Sequence, residues 1–184
     1  MGKIIAIVGM CGSGKSVACD YLENLGYEKV YFGGVTMDKL KEIGLEITPD
    51  NEKMMREKLR QDLGMGAYAK VLLPKIKELS INNNVVLDGL YSWDELVILN
   101  NEFKMTTIAV VEDKKLRYER LEKRVVRPFS KSDAIKRDIS EIENIAKAGP
   151  IAYADYYIFN NSTIKDFHNR LAEILSDLGS DNFE

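Results

Sequence analysis

The sequence contains very few of the side chains that most often bind metals or act as bases. Its 184 residues include one histidine and two cysteines. His168 lies beside the apolar positions of the last predicted helix, so we expect a structural role for it and a mechanism without a histidine base. Cys11 and Cys19 have neither the spacing of a metal site nor the pattern of a disulfide framework. This cysteine usage favours a reducing, cytoplasmic location.

Long apolar runs and a strong charge of either sign are also absent. No run approaches the roughly 18 apolar residues that a membrane-spanning helix requires. The apolar run at residues 4–8 is too short for a signal peptide. The net charge of -3 gives no general attraction to nucleic acids or anionic lipids. We therefore expect no membrane or nucleic-acid partner, and a monomer or a homodimer.

Apolar strand-like runs alternate with helical patterns, which is typical of parallel β–α units in a single α/β domain. The predicted strands are residues 4–8, 29–32, 85–87, 106–111 and 156–159. Helices are predicted from Lys15 to Gly26, between 35 and 80 with breaks at 48–50 and 64–66, at 113–124, at 132–147, and from Ile164 onward. We expect a frayed tail at 180–184.

Residues 9–16, GMCGSGKS, match the phosphate-loop pattern G-x-x-x-x-G-K-[ST]. Its glycines let backbone N–H groups turn toward phosphate oxygens, and the following helix adds the positive end of its dipole. Lys15 would contact the β- and γ-phosphates of ATP, and the Ser16 hydroxyl would bind Mg²⁺. A chance glycine-rich turn is the alternative, which the flanking strand and helix argue against. The predicted ATP ligands here are Gly9, Cys11, Gly12, Ser13, Gly14, Lys15 and Ser16.

Asp88 ends the apolar run that predicts the third strand. In a phosphate-loop fold, a strand beside the first one delivers such a carboxylate next to Mg²⁺. Asp88 is therefore a candidate to bind the metal or to orient the group that accepts the phosphoryl. The alternative is a turn cap, which is common for an Asp-Gly pair.

Arginines recur at helical spacing in the second half of the chain. The intervals are three, four and three residues, through Arg117, Arg120, Arg124 and Arg127. They would share one face if the helix persists that far, and guanidinium groups suit phosphate. Arg137 would approach from the next helix. We predict that Arg120 contacts ATP and that Arg124, Arg127 and Arg137 are catalytic. The alternative is that these arginines lie on a solvated helix face and pair with acidic neighbours.

Taken together, the motifs resemble those of the nucleoside monophosphate kinase group, which includes adenylate kinases and dephospho-CoA kinases. The chain is most similar to a family of small adenylate-kinase-related proteins. The resemblance covers nearly the whole chain. It rests on residues 9–16, KLR at 58–60 followed by Gly64, LDG at 87–89, RYERLEKR at 117–124, RD at 137–138 and ADYYIFNN at 154–161.

The resemblance implies a doubly wound sheet of five parallel strands in the order 2-3-1-4-5. It also implies that helices within 35–80 cover the acceptor and that residues 124–137 form a closing lid. Arg60 would contact the acceptor's phosphate. Asn160 and Asn161 would lie near the adenine of ATP.

The predicted acceptor-binding residues are Gly34, Asp38, Arg60 and Tyr91. Two departures from the pattern of these kinases fall among them. An acid usually follows the second strand, where this chain has Gly34, and Asp38 is the nearest carboxylate. An arginine usually lies two residues after the Asp-Gly pair, where this chain has Tyr91.

From the motifs as a whole we predict a Mg²⁺- and ATP-dependent kinase of a nucleoside monophosphate or dephospho-CoA-like acceptor. A nucleotide sensor with lost or weak activity, and a kinase of a sugar or sugar acid, are the alternatives.

Overall fold

The computed structural model describes residues 1–125 and 128–180. In chain order the elements are β1 Ile4–Val8, α1 Lys15–Asn24, β2 Glu28–Tyr31, α2 Gly34–Glu42, α3 Pro49–Leu63, α4 Ala67–Ser80, β3 Val85–Asp88, α5 Trp93–Glu102, β4 Met105–Val111, α6 Lys114–Glu122, α7 Lys131–Ile145, α8 Ala148–Ala152, β5 Tyr156–Phe159 and α9 Ile164–Ser180. None of the helices in this part of the chain is long and apolar enough to cross a membrane.

The five strands form one parallel sheet in the order β2-β3-β1-β4-β5, which confirms the predicted order. The central strand β1 is buried at every position. Ile5 and Ile7 pack in the cluster that contains α1 and α9, whereas Ala6 and Val8 pack in the cluster that contains α2 to α5. Side chains alternate between the two faces of a strand, so a continuous apolar run is needed to cover both.

The parallel arrangement brings the carboxyl ends of the central strands to one edge of the sheet. The loop at residues 9–16 leaves β1 there, and Asp88 ends β3 beside it, paired in register with Ile7. Glu112 follows β4 at the same edge. Ligands of open α/β sheets bind at this edge, so the fold itself places the phosphate loop and Asp88 together.

Local capping accounts for several helix boundaries. The predicted break at 48–50 is confirmed, since the Thr48 side chain accepts a hydrogen bond from the Asn51 N–H and Pro49 opens α3. Gly64, with φ 81, follows the end of α3. Helix α4 continues through Pro74. The sequence prediction missed α5, although Ser92 and Glu95 form its capping box.

Two predictions about the helices need correction. Helix α6 ends at Glu122, so Arg124 lies beyond it and the predicted arginine face does not extend that far. Helix α9 begins at Ile164 as predicted, and this first residue is 65% exposed. Helix α9 extends to Ser180, contrary to the prediction that a frayed tail begins at residue 180; residues 181–184 lie outside the described residues.

Candidate functional site

The phosphate loop depends on backbone conformations that favour glycine. Gly9, Gly12 and Gly14 all have positive φ, at 150, 89 and 97°. A Cβ on Gly9 would lie 2.4 Å from the carbonyl oxygen of Val110, and one on Gly14 would lie 2.3 Å from the side-chain nitrogen of Asn160. The loop is therefore both left-handed and tightly packed, and glycine is required at these positions.

Lys15 lies folded over the loop at the start of α1. Its ammonium donates a hydrogen bond to the carbonyl oxygen of Met10 at 3.0 Å. Helix α1 has no side-chain cap, so the N–H groups at its start, those of Lys15 and Ser16, remain available to an anion, whereas the Val17 N–H donates to the carbonyl oxygen of Gly14. Burial and the nearby Lys147 lower the pKa of Lys15 to about 8, against opposing effects of Cys11, Glu141 and Asp88. An anionic ligand would stabilise the charged form of this desolvated lysine.

A cavity of about 420 Å³ opens on the loop. The loop residues that line it are Cys11, Gly12, Gly14, Lys15 and Ser16. The residues that line it from other elements are Tyr31, Asp88, Tyr91, Arg124, Arg137 and Lys147. Apart from the loop, the cavity combines one carboxylate, two tyrosines and three cations, and we call it the main cavity. This is the composition expected for binding phosphates next to an acid.

Asp88 contributes the carboxylate of the main cavity. Burial raises its pKa, while the charges of Lys15 and Lys29 and a hydrogen bond with the Cys19 thiol act in the opposite direction. Ser16 lines the same cavity. No group of three or more His, Cys, Asp or Glu side chains suited to a metal occurs in 1–125 or 128–180. Mg²⁺ commonly uses only one or two protein oxygens together with nucleotide phosphates, and Ser16 and Asp88 fit such a donor set.

The predicted arginines divide into different environments. Arg117 is buried and forms two hydrogen bonds to the Asp138 carboxylate, one of them at 2.8 Å; it also donates to the carbonyl oxygen of Cys11 at 3.0 Å. Arg117 therefore connects α7, through Asp138, with the phosphate loop, through the carbonyl group of Cys11. Arg124 and Arg137 line the main cavity. Arg127 lies outside the described residues.

Arg120 lines a second cavity of about 210 Å³, which shares Gly12 and Gly14 of the loop with the main cavity. The residues around it are Gly12, Gly14, Val17, Arg120, Asn160, Ser162, Ile164 and Phe167. Arg120 donates to the carbonyl oxygen of Asn160 at 2.9 Å, and the Asn160 amide donates to the carbonyl oxygen of Ser13 at 2.9 Å. Asn161 lines neither cavity; its side-chain oxygen accepts a hydrogen bond from the Asp113 N–H.

Sequence reasoning missed Lys147 and Glu141. Lys147 is 3% exposed, and its ammonium donates to Glu141 at 2.7 Å and lies 5.0 Å from the centroid of the Tyr91 ring. Arg137 donates through Nε to the other oxygen of Glu141 at 3.0 Å. Burial acts to raise the pKa of Glu141, but the two cations outweigh it and hold the pKa below its usual range. No sequence motif marked Lys147, because only the turn after α7 directs it into the main cavity.

The predicted acceptor residues are only partly brought together. Tyr91 lines the main cavity, and the Tyr31 ring there lies 3.6 Å from where a Cβ on Gly34 would be. Asp38 does not reach this cavity; its side chain is 71% exposed and lies 4.0 Å from Lys41. Arg60 does not line it either and lies 5.6 Å above the Tyr68 ring.

Sequence and structure comparisons give the family and the fold. A family model described as an AAA domain matches residues 5–143. A UPF0200 protein of Thermococcus onnurineus is 34% identical, over 94% of this chain and 96% of that protein. A UPF0200 protein of Sulfurisphaera tokodaii is 35% identical, over 94% and 96% of the two chains.

Solved structures with a similar fold include two kinases. Shikimate kinase from Bacteroides thetaiotaomicron has a TM-score of 0.61 at 14% identity, covering 95% of this chain and 98% of that one. A gluconokinase from Sinorhizobium meliloti 1021 has the same TM-score and identity, covering 99% of this chain and 95% of that one. These likenesses establish a P-loop kinase-like fold and do not single out nucleoside monophosphate or dephospho-CoA kinases. With the intact loop at 9–16 and identities above 30% over nearly its whole length, the chain belongs to the UPF0200 family.

Proposed function

We propose that this protein is a kinase that transfers the γ-phosphoryl group of Mg²⁺-bound ATP to a small acceptor, in the class of nucleoside monophosphates or dephospho-CoA-like nucleotides. The observation that carries the proposal is the composition of the main cavity. It joins Lys15 of the phosphate loop, the carboxylate of Asp88 and the cations of Arg124, Arg137 and Lys147. Phosphoryl transfer depends chiefly on positioning and on positive charge around the phosphoryl oxygens.

The two cavities suggest how ATP would bind. The smaller cavity, between Arg120 and Asn160, would receive the base, and the loop N–H groups and Lys15 would hold the phosphates. Ser16 and Asp88 would hold Mg²⁺, which supplies positive charge to the β- and γ-phosphate oxygens when bound. Arg117 would act indirectly, because its hydrogen bonds keep the loop and α7 together.

In the transfer step, an acceptor oxygen forms a bond to the γ-phosphorus while the bond from that phosphorus to the β,γ-bridging oxygen breaks, and ADP leaves. If the acceptor group is an ionised phosphate, its oxygen can attack without losing a proton. For an acceptor hydroxyl, Asp88 would either hold Mg²⁺ or accept the proton, and not both at once, because a carboxylate that binds the metal is held in its charged form. Residues 124–137 would close as a lid and exclude water, which competes with the acceptor.

The acceptor side of the main cavity favours a ring-bearing anion. Tyr31 and Tyr91 line it together with cations, and aromatic faces suit a planar base. A sugar acid also carries an anionic group. The fold likeness to a shikimate kinase and a gluconokinase is a reason to include such acceptors in the test.

The proposal is tested by measuring ADP formation from ATP and Mg²⁺ with each candidate acceptor. The panel contains nucleoside monophosphates, dephospho-CoA, shikimate and gluconate. We expect ADP formation that depends on one acceptor. Lys15→Ala should abolish it, and Lys53→Ala, at an exposed position on α3, should leave it unchanged. Tight ATP binding with no active acceptor would overturn the kinase and favour a nucleotide sensor.

A further inference from the structure

The main cavity contains a cation at a place where the sequence predicted that one was missing. Position 91 is a tyrosine, where the resemblance to nucleoside monophosphate and dephospho-CoA kinases would place an arginine. Lys147, from the connection between α7 and α8, brings its ammonium to 5.0 Å from the centroid of the Tyr91 ring. Both residues line the main cavity. The charge absent from the β3–α5 loop is thus supplied by a residue 56 positions further along the chain, by the numbering of the sequence.

The backbone around Lys147 is organised to direct this side chain inward. Ala146 is left-handed, with φ 50, and it is the sole residue other than glycine with positive φ in the parts of the chain described. This conformation costs a residue with a Cβ on the order of 1 kcal/mol. The turn ends α7 and leaves Lys147 3% exposed, whereas Ala146 itself is exposed.

Glu141 orients two cations at once without using all of their donors. One of its oxygens accepts from Lys147 and the other accepts from Nε of Arg137. An ammonium has three N–H donors and a guanidinium has five. Lys147 and Arg137 therefore keep donors that Glu141 does not use.

We propose that Lys147 and Arg137, held in place by Glu141, form a subsite beside Tyr91 that binds an anionic oxygen group of the acceptor, a phosphate or a carboxylate. This inference rests on the proposed kinase function and names a property of its acceptor. The assignment to the acceptor side follows from Tyr91, which belongs to the β3–α5 loop and not to the phosphate loop or the second cavity. Glu141 is a positioning residue in this subsite, and Lys147 and Arg137 are the groups that touch the anion.

The charge balance of the main cavity agrees with this assignment. Its lining includes Lys15, Arg124, Arg137 and Lys147, against the carboxylate of Asp88. Glu141 offsets part of the excess through its two ion pairs. Four cations therefore share the main cavity with one carboxylate, and Glu141 offsets their mutual repulsion only in part. Anions on both the donor and the acceptor side would relieve that repulsion.

The test uses inorganic phosphate and acetate as probes and requires no turnover. The full-length protein is first saturated with Mg²⁺ and a non-hydrolysable ATP analogue, so that the donor phosphate positions are filled. Each anion is then titrated by calorimetry. The fluorescence of Trp93, whose ring lies 2.9 Å from the position of a Cβ on Gly149 in α8, reports whether that segment stays packed.

We expect wild-type protein to bind at least one of the two anions saturably. Lys147→Met should weaken that binding at least about tenfold, as for loss of a charge-assisted hydrogen bond, and Lys147→Arg should restore it in part. The affinity for the ATP analogue should change by less than about threefold in both variants. Glu141→Gln should weaken anion binding less than Lys147→Met does. Lys104→Met, an exposed lysine just before the amino end of β4 and so at the opposite edge of the sheet from the phosphate loop, is the control and should resemble wild type.

Three results would overturn the subsite. The first is that wild-type protein binds neither anion saturably, and the second is that Lys147→Met leaves the anion affinity unchanged. The third is that Lys147→Met weakens binding of the ATP analogue as much as binding of the anion, which would assign Lys147 to the donor side. Failure of the kinase proposal is distinguishable, because protein with no active acceptor can still show anion binding that depends on Lys147. Preference for phosphate or for acetate then indicates which kind of anionic group the acceptor carries.

Discussion

The two sides of the candidate site are built in different ways. The proposed donor side is centred on residues 9–16 and the start of α1, where glycines set the backbone conformation. The proposed acceptor side, comprising Tyr31, Tyr91 and the residues from α7 and the turn after it, is defined by side chains that meet from distant segments. A backbone-defined site shows in a short sequence motif, whereas a site made of converging side chains does not.

The contact that joins the two sides should give the largest effect when it is broken. Asp138→Ala leaves the buried guanidinium of Arg117 without its partner, and we expect a loss of about 3–5 kcal/mol in the free energy of unfolding. Urea denaturation measures it. Glu143→Ala, an exposed acid on the same helix, is the control, and an equally small loss in both variants would contradict the structural role of the pair.

The same pair predicts a pH dependence. Burial alone would raise the pKa of Asp138, but hydrogen bonds from Arg117 and Tyr118 outweigh it and hold the pKa below its usual range. Because the folded-state pKa is depressed, this stabilisation is present above the unfolded-state pKa of about 4 and is lost as the pH falls through the folded value. In Asp138→Ala, the free energy of unfolding should therefore decrease less between neutral and acidic pH than it does in wild type.

The backbone character of the donor side is tested by adding a single methyl group. Gly9→Ala places a Cβ 2.4 Å from the carbonyl oxygen of Val110 at φ 150, and we expect a loss of about 3 kcal/mol or more in the free energy of unfolding. Gly26 also has positive φ, at 88, but no atom lies within 4 Å of its added Cβ. Gly26→Ala should cost only about 1–2 kcal/mol, which is the conformational part. Equal losses would indicate that packing does not constrain Gly9.

A smaller effect should separate Lys15 from the arginines across the cavity. The pKa of Lys15 is lowered to about 8, whereas arginines stay charged at that pH. Bound phosphates favour the charged lysine, so binding of the ATP analogue should take up a proton above pH 8. Its affinity should fall as the pH rises, by at most about tenfold per pH unit. Calorimetry in buffers of different ionisation enthalpy measures the proton uptake, and none at pH 9 would contradict the shifted pKa.

The smallest effect concerns the turn before Lys147. Ala146→Gly removes the Cβ from a left-handed residue, and we expect a gain of about 0.5–1 kcal/mol in stability after the greater entropy of glycine in the unfolded chain is counted. Ala148→Gly, inside helix α8, should instead destabilise by up to about 1 kcal/mol. A loss of stability in Ala146→Gly would indicate that its methyl group is packed.

Most of the fold was accessible from the sequence because its signals are local. The apolar runs predicted all five strands, and Thr48 with Pro49 predicted the start of α3. The predicted end of α6 was wrong because arginines continue at helical spacing past Glu122, whereas the helix ends at that residue. The capping box of Ser92 and Glu95 was present in the sequence and would have revealed α5.

The site was accessible to a different extent on each side. Glycine spacing by itself determined the phosphate loop, because positive φ and close backbone approach restrict those positions to glycine. Only the tertiary structure decided that Arg117 forms a structural ion pair with Asp138. It also decided that Asp38 is exposed and that Lys147 enters the main cavity. A charged side chain acts through its neighbours, and those neighbours are far apart in sequence until the sheet and helices pack together.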